Sequence, residues 1–283
     1  MRGDANTRGY AGAVLDAVLA LAPPRRAPWL IGLSGLQGSG KSTLAAQLVA
    51  RAAQDGRYAL ALSLDDFYFG RAMRRALARD VHPLLATRGV PGTHEIALLQ
   101  STLDALAGAN PNHPAAVPRF DKGRDTRVAP SRWRRVRRVP DLILLEGWCV
   151  GVPAQAAAAL ATPLNALERD EDADAAWRHH VNAQLRDAYQ PLWRRLDHLV
   201  LLQAPAYDVV VRWRDEQERS LRRRGAPRAM SPAALRRFVS HYERLSRHAL
   251  ATLPARADLR VVLDETRRVR DVAPRRPFPS RLD

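Results

Sequence analysis

Five apolar runs of strand length recur along the chain, at 29–34, 58–64, 142–145, 199–202 and 259–263. Their apolar character is continuous rather than alternating. That predicts strands buried on both faces, as in a parallel sheet covered by helices. Stretches of helical periodicity lie between them, at 41–54, 95–106 and 177–196, with a further one at 11–21. In the 177–196 stretch, Trp177, Val181, Leu185, Ala188 and Leu192 share one stripe, and Pro191 is expected to kink it. Strands alternating with helices predict an α/β doubly wound domain.

The alternation is interrupted twice. Residues 66–140 are mostly irregular and Arg-rich, and residues 207–250 read as two basic helices joined around 225–231. Insertions of this length between core strands usually build a binding site or a lid. The expected organisation is an N-terminal helix and linker at 1–28, one domain at 29–265 carrying a substrate-binding insertion and a lid-like one, and a basic tail at 266–283. The acidic run at 168–174 is expected at the surface, at a helix N-terminus.

Composition narrows the class. Cys149 is the one cysteine of 283 residues, so no intrachain disulfide can form, which fits a reducing compartment. No apolar run approaches the ~20 residues of a membrane helix, so a soluble, cytoplasmic protein without a membrane partner is expected. The net charge of +16 favours anionic partners. Yet Lys41 and Lys122 are the only lysines among 45 basic residues. So general a replacement of Lys by Arg reflects coding bias, and the charge gives little support to a nucleic-acid partner. The two lysines gain interest, because a planar guanidinium does not replace a compact ammonium at every site. The densest basic run, at 132–138 around Trp133, reads as a solvated linker, with single-stranded nucleic acid as the competing reading.

The chemistry is carried by Gly35-Leu36-Gln37-Gly38-Ser39-Gly40-Lys41-Ser42-Thr43, which follows a buried strand and opens a helix. The G-x-x-x-x-G-K-[ST] pattern makes a loop whose backbone N–H groups cradle phosphates, helped by the helix dipole. Lys41 is placed to reach the β- and γ-phosphates of a nucleoside triphosphate, and Ser42 to ligate Mg²⁺. A second strand ends in Leu64-Asp65-Asp66-Phe67-Tyr68, and a third in Leu145-Glu146-Gly147-Trp148. Carboxylates at these strand ends face the ligand crevice. There Asp65 can take a proton from a hydroxyl, and Asp65 and Glu146 can support the metal. No N-K-x-D string of the GTPase kind occurs.

These elements, together with Arg88-Gly89-Val90-Pro91-Gly92-Thr93-His94-Glu95 and Pro118-Arg119-Phe120-Asp121-Lys122, resemble the plant-type D-glycerate 3-kinases. That group belongs with the uridine kinase, phosphoribulokinase and pantothenate kinase relatives, and the resemblance spans about residues 29–265. It implies a P-loop NTPase fold: a three-layer α/β/α sandwich on a mostly parallel five-stranded sheet, with helical insertions. It also implies an ATP- and Mg²⁺-dependent kinase acting on a small hydroxy acid, most simply D-glycerate. Another acceptor of the uridine or pantothenate kind, or an ATP-dependent nucleic-acid-binding protein, is the alternative. Within it, Lys41, Asp65 and Glu146 would be catalytic. Asp66, Tyr68, Arg88, His94, Arg119, Lys122 and Arg127 would bind substrate, and Arg219 or Arg222 would act from the lid. The chain departs from the family after Lys122, where Gly123-Arg124-Asp125-Thr126-Arg127 is shorter than the family's glycine-rich loop.

Overall fold

The computed structural model describes residues 10–24, 28–223 and 230–275, with backbone alone for 217 and 220–223. All five expected strands form: β1 (Trp29–Gly35), β2 (Ala59–Ser63), β7 (Leu142–Gly147), β8 (His198–Gln203) and β9 (Leu259–Leu263). They pair in parallel in the order β9-β8-β1-β7-β2. A sixth strand, β10 (Val269–Pro274), adds to β9 antiparallel. It comes from the stretch expected as a basic tail at 266–283, so both that expectation and the count of five strands are corrected. An edge strand needs a partner on one side only. Val-Arg-Asp-Val-Ala-Pro therefore pairs without the apolar run that marks the inner strands.

Successive side chains of a strand point to opposite faces, and here both faces are covered. Leu30, Leu60, Leu62, Ile143, Leu145, Leu199 and Leu201 join the core on one face. Ile31, Leu33, Leu142, Leu144, Val200, Leu202 and Val261 join the core on the other. The first face is packed by α4 (Ile96–Ala107), α6 (Ala176–Gln184) and α7 (Gln190–Trp193). The second is packed by α1 (Gly12–Ala20), α2 (Lys41–Gln54) and α8 (Val209–Arg223). The long α9 (Pro232–Thr252) contributes to both, through Tyr242 and Leu245 on one side and Leu235 and Val239 on the other.

The stretch expected as one kinked helix is broken where Pro191 dictates. Residues Leu185–Tyr189 form a π-helical turn between α6 and α7. Pro191 has no N–H to return to the preceding turn, and the wider turn absorbs the break in the ladder. The 66–140 insertion holds α3 (Arg71–Asp80), α4 and two small ribbons. One ribbon pairs β3 (Ala115–Val117) with β6 (Arg134–Val136), the other β4 (Phe120–Asp121) with β5 (Thr126–Arg127).

The acidic run is at the surface only in part: Asp170, Glu171 and Asp174 are exposed, whereas Glu168 and Asp172 turn inward. Glu168, on α5 (Ala166–Glu171), is fully buried and pairs with Arg244 at 2.6 Å. Asp172 pairs with Arg178 at 2.8 Å and accepts the Trp177 N–H at 2.7 Å. Each buried carboxylate meets a guanidinium and backbone donors, which offsets the cost of taking it out of water. Among the described residues no helix is long and apolar enough to cross a membrane.

Strand order and register place the site. β1 lies between β7 and β8; Ser34 stands opposite Gly147, and Glu146 opposite Ser63. The C-terminal ends of β1, β7 and β2 therefore converge, where open α/β sheets hold their ligands.

Candidate active site

The phosphate loop joins β1 to α2 as the sequence requires. Gly38 has φ +79°, and a Cβ there would lie 2.9 Å from the Trp213 Cβ of α8, so both backbone and packing call for glycine. Lys41 is buried, its Nζ donating to the carbonyls of Gly35 at 2.7 Å and Leu36 at 3.0 Å. Desolvation by burial lowers the ammonium below its ordinary value, against the opposing charges of Glu146 and Asp65. Ser39 Oγ and the Gln37 side-chain amide are buried without hydrogen-bond partners among the described residues. These orphaned polar atoms fit a loop built to receive an anion.

The strand-end carboxylates stand beside the loop. Glu146, at the end of β7, accepts from Ser42 Oγ at 3.0 Å. Asp65 enters a single 3₁₀ turn, Leu64–Phe67, directly after β2. It accepts from Tyr68 Oη at 2.8 Å on one oxygen and from Lys122 Nζ at 2.5 Å on the other. Burial pushes its carboxyl up. The Lys122 charge and the Lys122 and Tyr68 hydrogen bonds prevail, holding it below the usual carboxylate range.

A cavity of about 310 Å³ opens over these groups. Of the residues expected from sequence, Gln37, Gly38, Gly40, Lys41, Ser42, Thr43, Asp65, Tyr68, Arg88, Lys122 and Glu146 all line it. The loop residues Gly35, Leu36 and Ser39 do not. Four expected substrate contacts turn elsewhere. Asp66 accepts the Phe120 N–H at 2.9 Å and so fixes the start of β4. Arg127 pairs with Glu95 at 2.7 Å and donates to the Tyr68 carbonyl at 3.0 Å. Arg119 is exposed on a neighbouring groove. His94 is buried under Tyr68, ring centroids 4.4 Å apart, with Nδ1 2.7 Å from Tyr189 Oη. For Asp66 and Arg127 the cause is the same: the insertion folds as a packed unit, and its polar groups satisfy one another first. His94 is instead claimed by Tyr189 from outside the insertion, and the groove that holds Arg119 shares Ser42, Asp65, Lys122 and Glu146 with the cavity.

The lid expectation is also revised. Arg219 is exposed, pairs with Asp215 at 2.8 Å and forms no part of the cavity wall. The side chain of Arg222 lies outside the described residues. Arg214 lines the cavity instead, 3.1 Å from Glu218 and over the Phe238 ring at 5.6 Å. The first half of α8 is anchored. Trp213 Nε1 donates to the Glu265 carbonyl at 2.7 Å, Arg212 pairs with Glu265 at 2.9 Å, and Arg267 pairs with Glu216. Trp148 and Tyr242 complete the wall. Trp148 Nε1 donates to the Gly89 carbonyl at 2.9 Å and Tyr242 Oη to the Arg88 carbonyl at 2.8 Å, so both hold the Arg88 loop in place. Sequence reasoning missed Arg214, Phe238 and Tyr242 because they come from helices more than a hundred residues from Arg88. The buried Trp213 and Glu218 give the sequence signal, since they mark the inward face of α8. Trp133, in the basic run, is half-buried and donates its indole N–H to the Val128 carbonyl at 2.7 Å.

His94 makes the site's support pH-dependent. Desolvation by burial pushes its imidazole down to about 4, against the Asp65 charge. The unfolded chain binds that proton at about 6.5, so stability is full above that value and is lost as pH falls through the window toward about 4. On the order of 3 kcal/mol is at stake at the acid end. Burial lowers His180, His241 and His248 in the same direction. Thermal melts should therefore show Tm falling with pH across this window, and His94→Asn should flatten part of that slope. An identical slope in the variant would remove His94 from this account.

No family model matches the chain. It is 32% identical over 257 residues to the kinase mug58 of Schizosaccharomyces pombe, covering 86% of this chain and 91% of that protein. It is 31% identical over 240 residues to the chloroplastic D-glycerate 3-kinase of Arabidopsis thaliana, covering 81% of this chain and 49% of the plant protein. Among solved structures, D-glycerate 3-kinase from Cryptococcus neoformans has the same fold, with a TM-score of 0.74 at 22% identity over 93% of this chain and 97% of that one. The fold and its phosphate loop therefore define a P-loop kinase, an ATP-dependent enzyme with a hydroxyl acceptor. More narrowly, the chain belongs to the family of small-molecule kinases that contains mug58 and the plant D-glycerate 3-kinase.

Proposed function

We propose that the protein transfers the γ-phosphoryl group of ATP to the 3-hydroxyl of D-glycerate. The observation that carries this reading is the meeting, in one cavity, of Lys41, the Ser42–Glu146 pair and the Asp65 carboxylate, with Arg88 in the same wall. The acceptor's oxygen forms a bond to the γ-phosphorus while the bond to the β–γ bridging oxygen breaks. The hydroxyl proton passes to Asp65. Lys41 leaves the Gly35 and Leu36 carbonyls for the phosphates, and the orphaned Ser39 and Gln37 groups fit the same anion. Ser42 and Glu146 have the hard oxygen donors that suit Mg²⁺, which when bound neutralises charge on the transferring group.

D-glycerate is favoured by chemistry as well as by the named relatives. It is small enough for the cavity, it brings a hydroxyl for Asp65, and its carboxylate suits a guanidinium. The test is an ADP-release assay with ATP, Mg²⁺ and an acceptor panel of D-glycerate, glycerol, uridine and pantothenate. Release dependent on D-glycerate is expected. A clear preference for another acceptor would overturn the assignment.

A further inference from the structure

The shortened loop after Lys122 has an unusual occupant. Asp125 has φ +57°, in the left-handed region that few residues other than glycine enter; Asp and Asn are among those that do. Its carboxylate is shared by three guanidiniums. Arg74 pairs with it at 2.6 Å, Arg71 at 3.5 Å, and Arg88 through a short hydrogen bond from Nη1. Burial pushes the Asp125 carboxyl up, but the Arg74 and Arg88 contacts hold it below its usual range, so it is ionised at neutral pH. Three cations around one anion leave a surplus of positive charge.

That surplus faces the active site through one residue. Arg74 is buried and also committed to the carbonyls of Phe69 at 3.1 Å and Ala86 at 2.7 Å. Neither Arg74 nor Arg71 reaches the cavity, whereas Arg88 lines it. Arg88 is held by Asp125 at one nitrogen, by the Phe120 ring 5.6 Å away, and by Tyr242 at its backbone carbonyl. A guanidinium has five N–H donors in a fixed fork, so donors remain for a ligand after Asp125 takes its share. Of the other cations in the wall, Lys122 is paired with the Asp65 base and Lys41 is held by the phosphate loop.

We propose that Asp125 is a positioning residue that fixes Arg88 as the anchor for the acceptor's carboxylate. The three-to-one cluster thereby selects a hydroxy acid over a neutral polyol. The inference rests on the D-glycerate reading and deepens it, because it says which group recognises the acid.

Asp125→Asn is the informative variant, since Asn keeps the side-chain shape and tolerates the left-handed backbone but removes the charge that orients Arg88. Steady-state kinetics with D-glycerate and with glycerol, which lacks the carboxylate, gives the readout. KM for D-glycerate should rise about tenfold or more, the loss expected when a hydrogen bond to a charged group is broken. Its kcat and the KM for ATP should move far less. The preference for D-glycerate over glycerol should fall by the same factor, and Asp125→Glu should restore part of it. Equal losses for both acceptors, or an unmoved KM for D-glycerate, would overturn the proposal. A wild-type preference for a neutral acceptor would overturn it as well. A lack of turnover with any acceptor would instead sink the kinase assignment of the acceptor. Calorimetric binding of D-glycerate in the presence of ADP would then decide, and the proposal fails if Asp125→Asn binds as tightly as the wild type or neither binds.

Discussion

Asp65→Asn should lower kcat by ~10²–10⁴-fold, the range a positioned general base commands, with the KM for ATP almost unmoved. The asparagine keeps an oxygen for Tyr68 but cannot take a proton, and it leaves Lys122 without its anion. The phosphate loop keeps its hydrogen bonds, because Lys41 and Ser42 bond to Gly35, Leu36 and Glu146 and not to Asp65. Steady-state kinetics in both substrates checks this, and an unchanged kcat would take Asp65 out of the mechanism. The pH profile adds a second readout. Burial raises the Asp65 carboxyl, and the Lys122 charge with the Lys122 and Tyr68 hydrogen bonds together holds it below the usual range, so the base is ionised at neutral pH. Lys122→Met removes the lowering contribution. The acid limb of kcat/KM should then move to higher pH; a limb that stays put or moves down would show that Lys122 does not govern the base. The same ion pair has a cost: a carboxylate held low is a weak base.

Gly89→Ala should cost about 3 kcal/mol or more of stability, the sum of backbone strain and overpacking. Gly89 has φ +131°, and a Cβ there would lie 2.1 Å from Tyr242 Oη and 2.5 Å from its Cε1. Tyr242 is buried against Trp148, ring centroids 5.1 Å apart, and cannot yield without losing its bond to the Arg88 carbonyl. For a chain of this size the expected fall in Tm is about 6 °C or more. Urea and thermal melts give the measurement, and a variant within about 0.5 kcal/mol of the wild type would show the loop to be looser than described. Because Arg88 is the preceding residue, any folded fraction should also bind the acceptor more weakly. The glycine in this segment is therefore needed for the approach of an aromatic ring from α9, that of Tyr242, which lies 154 residues from Arg88 in sequence.

That distance explains where sequence reading succeeded and failed. The Ser42–Glu146 pair was legible although its members are 104 residues apart. Glu146 sits at the end of β7 and Ser42 follows the phosphate loop that leaves β1, and parallel pairing of these two strands brings such ends together whatever lies between. Asp65 was legible for the same reason. His94 and Arg127 looked like ligands because they lie in motifs rich in polar groups. Packing gave them other partners, Tyr189 for one and Glu95 for the other. Arg219 and Arg214 are both arginines on one helix, and only the burial of Trp213 against the phosphate loop decides which of them turns inward.

By itself the sequence determined the sheet's inner strands, the phosphate loop and the carboxylates at the strand ends. All of these are written in contiguous residues whose chemistry and periodicity act locally. The tertiary structure alone decided which cations face the cavity, that Asp125 gathers three arginines, that Tyr242 and Trp148 brace the Arg88 loop, and that a polar tail segment becomes a sixth strand. Those outcomes follow from contacts between distant segments, where a side chain's partner is chosen by burial and hydrogen-bond satisfaction and leaves no local pattern to read.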